Sequence, residues 1–247
     1  MTEKVAVVSD IHGNIHALEA VLAKIHNAGV DLILNLGDSL YGPLWPLETA
    51  RRIRQENMIS IAGNEDRLIL EAKSGPAHNQ TIQENLEALD SACLEWLLTL
   101  APMLVQGDIF LCHGTMADDC AYLCETIAQS GVEIKSPEVL AEIVEKLPQD
   151  IILCGHSHVP RNIPLGNGKT IINPGSVGLP AYTDDLPRPH KMETGRPDAA
   201  FAVLTLVKGR LLGVEHLWVP YDHNAAARQA ERNNRSDWAR WLATGRA

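Results

Sequence analysis

The sequence predicts an α/β fold, a four-layer α-β-β-α sandwich of two mixed sheets flanked by helices. Two observations predict it. The first sixty residues alternate strand and helix patterns, which favours a parallel sheet with right-handed crossovers. The second half places short apolar runs at the close spacing of antiparallel strands. With 247 residues, 45% of them hydrophobic and 21% charged, the chain can bury most of its apolar surface in one core, so a single domain over 1–247 is expected.

Residues 5–9 are a buried apolar run, read as a strand. Residues 14–27 then place Ile15, Leu18, Val21, Leu22 and Ile25 on one helical face. Residues 31–35 form a second strand, 46–56 a second helix and 58–62 a third strand. Residues 64–100 read as helical, broken at Ser74-Gly75-Pro76 by a loop. Residues 103–112 read as a hairpin turning at Gln106-Gly107-Asp108. Two helices are expected over 118–147, separated near Gly131 and restarted with Ser136 as N-cap and Pro137 in the first turn. Strands follow at 151–154, 161–165, 170–173, 201–207 and 211–219. Residues 181–198, rich in Pro, Asp and His and without periodicity, read as a long loop suited to a lid or binding role. A helical tail covers about 223–247.

Composition narrows the function classes. The amino terminus has too short an apolar run for a signal-peptide core, and no stretch approaches the ~18 apolar residues of a membrane span. A cytoplasmic protein without a membrane partner is expected. Five cysteines, Cys93, Cys112, Cys120, Cys124 and Cys154, form no metal-like pair and are odd in number, so reduced, mostly buried thiols are expected, with Cys120 and Cys124 on one helix face. The net charge of -10 is uneven: residues 1–160 carry 9 Lys/Arg against 23 Asp/Glu, and residues 161–247 carry 12 against 8. No basic stripe is visible, which disfavours extended nucleic acid. A small phosphorylated substrate remains compatible, because bound divalent cations would supply the positive charge.

Seven candidate metal ligands stand where predicted strands end: Asp10 and His12 after the first strand, Asp38 after the second, Asn64 after the third, His113 after 109–112, and His156 and His158 after 151–154. In an α/β sheet the carboxyl ends of strands converge on one edge, where sites form. All seven can therefore meet. Imidazole mixed with carboxylate and amide oxygen, without thiolate, suits manganese, Fe, Zn, Ni or Co better than Ca. Seven groups are too many for one ion, whereas two ions about 3.5–4 Å apart sharing a carboxylate would use them all and bracket a readily deprotonated water.

The blocks Asp10-Ile11-His12, Gly37-Asp38, Gly63-Asn64-Glu65-Asp66, His113 and Gly155-His156-Ser157-His158 resemble the pattern of the calcineurin-like metallophosphoesterases. The runs beginning at Val8, Gly37, Asn173 and Val219 are similar to the small prokaryotic phosphodiesterase-like branch, and the resemblance covers nearly the whole chain. It implies two divalent transition-metal ions, manganese foremost. One would be held by Asp10, His12 and His158 and the other by Asn64, His113 and His156, with Asp38 bridging. It also implies hydrolysis of a small or nucleotide-type phosphodiester, in which a metal-bound hydroxide attacks phosphorus in line. A phosphomonoesterase, a dinucleoside polyphosphate hydrolase or an inactive scaffold of the same fold are the alternatives.

The pattern breaks at Glu65, where the family's usual histidine can donate to the leaving oxygen. An ionised Glu is acceptor-only and repels an anionic ester. Glu65 is therefore either kept protonated, or turned away with Asp66 or Arg67 shaping the pocket, or the enzyme works without an acid; the last two are favoured. The expected catalytic set is Asp38, Asn64, Glu65 and Asp66. Arg67 reads as a salt-bridge partner of Glu71, His16 as an exposed helix residue, His78 and His190 as solvated loop histidines, and Asn173 as a support of the metal edge bonded to backbone. Trp238 and Trp241 fit packing or a homo-oligomer contact.

Overall fold

The computed structural model describes residues 2–77 and 79–247, so His78 lies outside the described residues. The opening follows the expected βαβαβ order: β1 (Thr2–Val8), α1 (Ile15–Asn27), β2 (Leu32–Asn35), α2 (Pro46–Gln55) and β3 (Met58–Ser60). Next come α3 (Asn64–Glu71), α4 (Gln80–Ala88) and α5 (Ser91–Leu98). The break anticipated at Ser74-Gly75-Pro76 is present, and Asp90 makes a second one, its carboxylate accepting the Cys93 N–H at 2.9 Å to start α5.

The strands β4 (Met103–Gln106) and β5 (Ile109–Cys112) form the expected hairpin. Residues 118–131 do not form the expected helix. After a loop they enter β6 (Glu125–Ala128), which turns back into β7 (Gly131–Ile134). The β-branched Thr126, Ile127, Val132 and Ile134 favour extended backbone, and Gly131 takes the turn at φ +121°. Cys120 and Cys124 therefore share no helix face: Cys120 is exposed, and Cys124 is buried with its Sγ 3.8 Å from that of Cys154. The restart at Ser136 is as expected, its Oγ accepting the Val139 N–H at 3.4 Å at the head of α6 (Pro137–Ile143).

Beyond it lie β8 (Ile151–Leu153), β9 (Arg161–Pro164) and β10 (Thr170–Asn173). Residues 181–198 are also a correction, because β11 (Ala181–Asp184) and β12 (His190–Glu193) pair antiparallel. In β12 His190 and Met192 are buried while Lys191 and Glu193 are exposed, a period-2 pattern too short to stand out in a Pro-rich stretch. The chain closes with β13 (Ala199–Val207), β14 (Arg210–Val219), α7 (His223–Arg232) and α8 (Ser236–Thr244).

Two five-stranded mixed sheets result, ordered β14-β13-β1-β2-β3 and β4-β5-β8-β10-β9. The alternation of strand side chains stacks them. Val5 and Val7 of β1 meet Ile109 and Leu111 of β5 and Ile151 and Leu153 of β8 in one cluster between the sheets. Ala6 and Val8 face outward to Leu18, Val21, Leu22 and Ile25 of α1, while Phe110, Cys112, Ile152 and Cys154 face outward to Leu140 of α6. A further cluster packs Trp238, Trp241 and Leu242 of α8 against Ala226 and Ala230 of α7, Ala181 of β11 and the loop residue Leu44. The carboxyl ends of β1, β2, β5 and β8 thus share one edge, which the tail helices approach.

Candidate metal centre

Backbone hydrogen bonds hold the loops of this edge in contact. Asp10 N–H donates to Gly37 O, His12 N–H to Asp38 O and Gly178 N–H to Asp10 O, each at 3.0 Å, and Gly155 N–H donates to His113 O at 2.8 Å. The packing needs glycine: a Cβ on Gly63 would lie 2.1 Å from Asp38 Oδ1, and one on Gly178 1.8 Å from Ile11 O. Asp10, His12, Asp38, His156 and His158 all have left-handed backbone, with φ between 51° and 66°. Such strain in L-residues costs energy and collects at functional sites. Here it turns each side chain sharply off its strand end toward a common point.

Each imidazole spends one nitrogen on a carbonyl. His12 Nδ1–H donates to Tyr41 O at 3.0 Å, His113 Nδ1–H to Leu36 O at 2.8 Å, His158 Nδ1–H to Leu179 O at 2.7 Å, and His156 Nε2–H to Cys120 O at 2.9 Å. In the neutral form of each ring the second nitrogen is then left as a lone pair, free to bind a cation. His12 Nε2 and His158 Nε2 face each other at 3.1 Å, His158 Nε2 lies 3.3 Å from Asp10 Oδ1, and His113 Nε2 lies 3.1 Å from Asp38 Oδ2. Both Asp10 oxygens, Asn64 Oδ1 and His113 Nε2 are buried without a hydrogen-bond partner. Acceptors facing acceptors in a dry site repel unless a cation lies between them. The donor set therefore fits divalent metal ions. Asp10, His12 and His158 form one group able to hold an ion, and Asp38, His113 and His156 another.

Protonation reports the same field. Burial, and then the proximity of His158, pull His12 down to about 4; burial and His113 do the same to His156, so both rings are neutral at pH 7. Burial also pulls His113 down, but Asp38 and Asp10 overrule it and push it up to about 10, the proton standing where a cation would be drawn. Burial raises Asp38, yet His113 holds it below the ordinary carboxylate range.

The family model of the calcineurin-like phosphoesterase superfamily domain matches residues 4–192. The chain belongs to that superfamily. It is similar to the uncharacterized protein MJ0912 of Methanocaldococcus jannaschii, 30% identical over 200 residues, spanning 71% of this chain and 76% of that one. A metallophosphoesterase from Sphaerobacter thermophilus shares the fold, with TM-score 0.75 and 24% identity over 98% of this chain and 99% of the other. The stretch matched by the family model ends before α7 and α8 begin.

At the position where this chain departs from the histidine pattern, Glu65 Oε2 lies 3.4 Å from His12 Nδ1 and is buried without a hydrogen-bond partner. Burial, then Asp38, Asp66 and Asp10, raise its pKa well above the usual value. Asp66 is turned the other way. Its oxygens accept the Ser39 N–H at 3.0 Å and the Gly63 N–H at 3.1 Å, joining the loops that carry Asp38 and Asn64. Asp66 was expected in the catalytic set, but the structure gives its carboxylate to backbone. Arg67 pairs with Glu71 at 2.9 Å as expected, and also grips Asp119 through two bonds of 2.8 Å.

Other residues of the edge were not legible in the sequence. The Tyr122 ring stacks on His156 at 4.8 Å, and its hydroxyl lies 2.9 Å from both Tyr182 Oη and His190 Nε2. Tyr182 in turn donates to His156 O at 2.9 Å. His190 is thus buried behind a metal-site histidine and is not a solvated loop residue. Asn173 Nδ2 donates to Gly155 O at 2.7 Å, the backbone support expected of it, and His16 is exposed. Trp238 packs its edge on His12 with centroids 5.6 Å apart. None of these aromatic contacts carried a motif; only the concentration of Tyr and Trp near the ligand blocks could have signalled them.

Proposed function

We propose that this protein is a cytoplasmic, dinuclear metal-dependent phosphoesterase that hydrolyses a small, nucleotide-type phosphodiester. One observation carries the reading: imidazole nitrogens and carboxylate oxygens of Asp10, His12, Asp38, His113, His156 and His158 fall into two groups able to hold an ion, beside a buried Asn64 amide oxygen that has no hydrogen-bond partner. Asp10, His12 and His158 would hold one ion and Asn64, His113 and His156 the other, with Asp38 between them. Manganese is the proposed metal. Divalent cations in such a pair supply Lewis acidity to phosphoryl oxygens and make a water acidic enough to act as nucleophile.

The chain's own groups orient that chemistry. Carbonyl acceptors at Tyr41, Leu36, Leu179 and Cys120 fix the histidine tautomers, and Asp66 sets the spacing of Asp38 and Asn64 as a positioning residue. Glu65 supplies no donor to a leaving oxygen when ionised, which favours esters with good leaving groups. Four of the five unpaired cysteines are buried, in keeping with a reducing compartment, and no described helix is long and apolar enough to cross a membrane.

The test is elemental analysis of the purified protein combined with a panel of mono-, di- and pyrophosphate esters. Two metal equivalents and highest kcat/KM on diesters are expected, and Asp38→Asn is expected to lose an ion and at least about 100-fold in activity. A variant that keeps both metals and full activity would remove Asp38 from the bridge. Highest activity on monoesters would redirect the substrate assignment, and metal binding without turnover on any ester would leave a scaffold.

A further inference from the structure

Beside the ligand cluster lies a cavity of about 240 Å³. It is smaller than the roughly 300–1,000 Å³ of pockets for drug-sized ligands, so it has room for a phosphoryl group with one ring system. Its walls are unusual for this chain. Of five Trp, four Tyr and two Phe in the whole sequence, two Trp and two Tyr line this one cavity: Tyr41, Tyr182, Trp238 and Trp241. Among the described residues, Arg235 is the one Lys or Arg on its wall, which Asp184 also lines.

The far wall comes from β11 and α8, and α8 lies outside the stretch that matches the family model. It is firmly placed. Asn233 Nδ2 donates to Pro43 O at 2.7 Å, and Arg235 Nη1 donates to Thr81 Oγ1 at 2.8 Å. Residue 42 is glycine where a Cβ would lie 2.7 Å from the Trp238 ring, so the loop after Asp38 leaves room for this helix. Asp237 takes two further Arg235 donors, at 2.9 Å and 2.7 Å, holding the guanidinium carbon Cζ 5.4 Å from the Trp238 centroid. Trp241 is 5% exposed, and its indole Nε1–H is buried with no partner. A buried indole N–H normally finds an acceptor, and a planar guanidinium stacks on aromatic faces.

We infer that this wall is a subsite for a planar aromatic group carried on the phosphoester, with Arg235 and Trp241 setting the preference for it. The inference rests on the phosphoesterase reading above. An aryl or nucleobase ring on the substrate would gain stacking and burial here, while its phosphoryl group stays at the ligand cluster. An alkyl group of the same charge would gain neither.

The probes are phenylphosphonate and methylphosphonate, titrated calorimetrically into the metal-loaded protein at a pH where both are dianions. Phenylphosphonate is expected to bind about tenfold more tightly. In Arg235→Gln and in Trp241→Leu the ratio should fall to within about twofold, with metal content unchanged. Arg240→Gln, an exposed position on the same helix, should keep the wild-type ratio. Equal affinities in the wild type, or a ratio that survives both variants, overturns the subsite while leaving the metal assignment intact. A protein that takes up no metal and binds neither phosphonate overturns the phosphoesterase reading and the subsite with it.

Discussion

Five candidate ligands hold left-handed backbone, a conformation that non-glycine residues take at a cost of order 1–3 kcal/mol. A chain keeps such strain only where the surroundings over-determine it, and here the cross-strand hydrogen bonds of the loops do so. Glu65 is the residue at which function is most open to change. It stands beside His12 with an unpartnered oxygen, and burial raises its pKa while adjacent cations would oppose that rise. Glu65→His is expected to raise kcat on alkyl esters with poor leaving groups by roughly tenfold or more, since a positioned acid contributes about 10²–10⁴. Activated aryl esters should change little. Steady-state rates on the two series check it, and a fall on both would give Glu65 an adapted role of its own.

Elements place these residues through their ends. Asn14 opens α1 by accepting the Ala17 N–H at 3.2 Å, and its amide also donates to Gly178 O at 2.9 Å and Tyr221 Oη at 3.1 Å. Asn14→Ala loses a cap worth about 1 kcal/mol and leaves a buried carbonyl unsatisfied at about 1–3 kcal/mol, so a loss of about 2–4 kcal/mol is expected in urea unfolding. A loss below about 1 kcal/mol would mean that the Gly178 loop holds without it. The two misread stretches belong to this scale as well. In β6–β7 and β11–β12 the local pattern is only four residues per strand, too few to separate a period of 2 from one of 3.6. Pairing with the partner strand decides such segments. Through β11–β12 that pairing brings Tyr182 and His190 to the back of His156.

At the scale of the molecule, the ligand cluster joins the two sheets. Asp10 and Asp38 leave β1 and β2 of one sheet, and His113, His156 and His158 leave β5 and β8 of the other. Ions bound there would cross-link the sandwich and stabilise it by mass action, so manganese is expected to raise Tm and a chelator to reverse the rise. The pH dependence has a definite sign. His113, pushed up to about 10, must release its proton to bind a cation, whereas His12 and His156, near 4, are already neutral. Affinity should rise by about tenfold per pH unit between about pH 6 and 8, and the Tm shift should grow with it. A pH-independent Kd over that range would mean that His113 releases no proton when the metal binds.

The sequence by itself determined the fold class, the order of the first three strands and the candidate ligands, of which Asp10, His12, Asp38, His113, His156 and His158 lie in the two grouped sets and Asn64 lines the adjoining cavity. These were legible because strand ends, glycine turns and apolar periodicity are local, and because the carboxyl ends of strands in such a fold must converge. Only the tertiary structure decided which ring nitrogen of each histidine faces inward, that Asp66 serves the backbone, and that α8 walls the cavity with Arg235, Trp238 and Trp241. Those outcomes depend on contacts between residues up to about 225 positions apart, such as Trp238 on His12. No local pattern encodes such a contact, because it exists only once the two sheets have packed and the tail has found the groove left by Gly42.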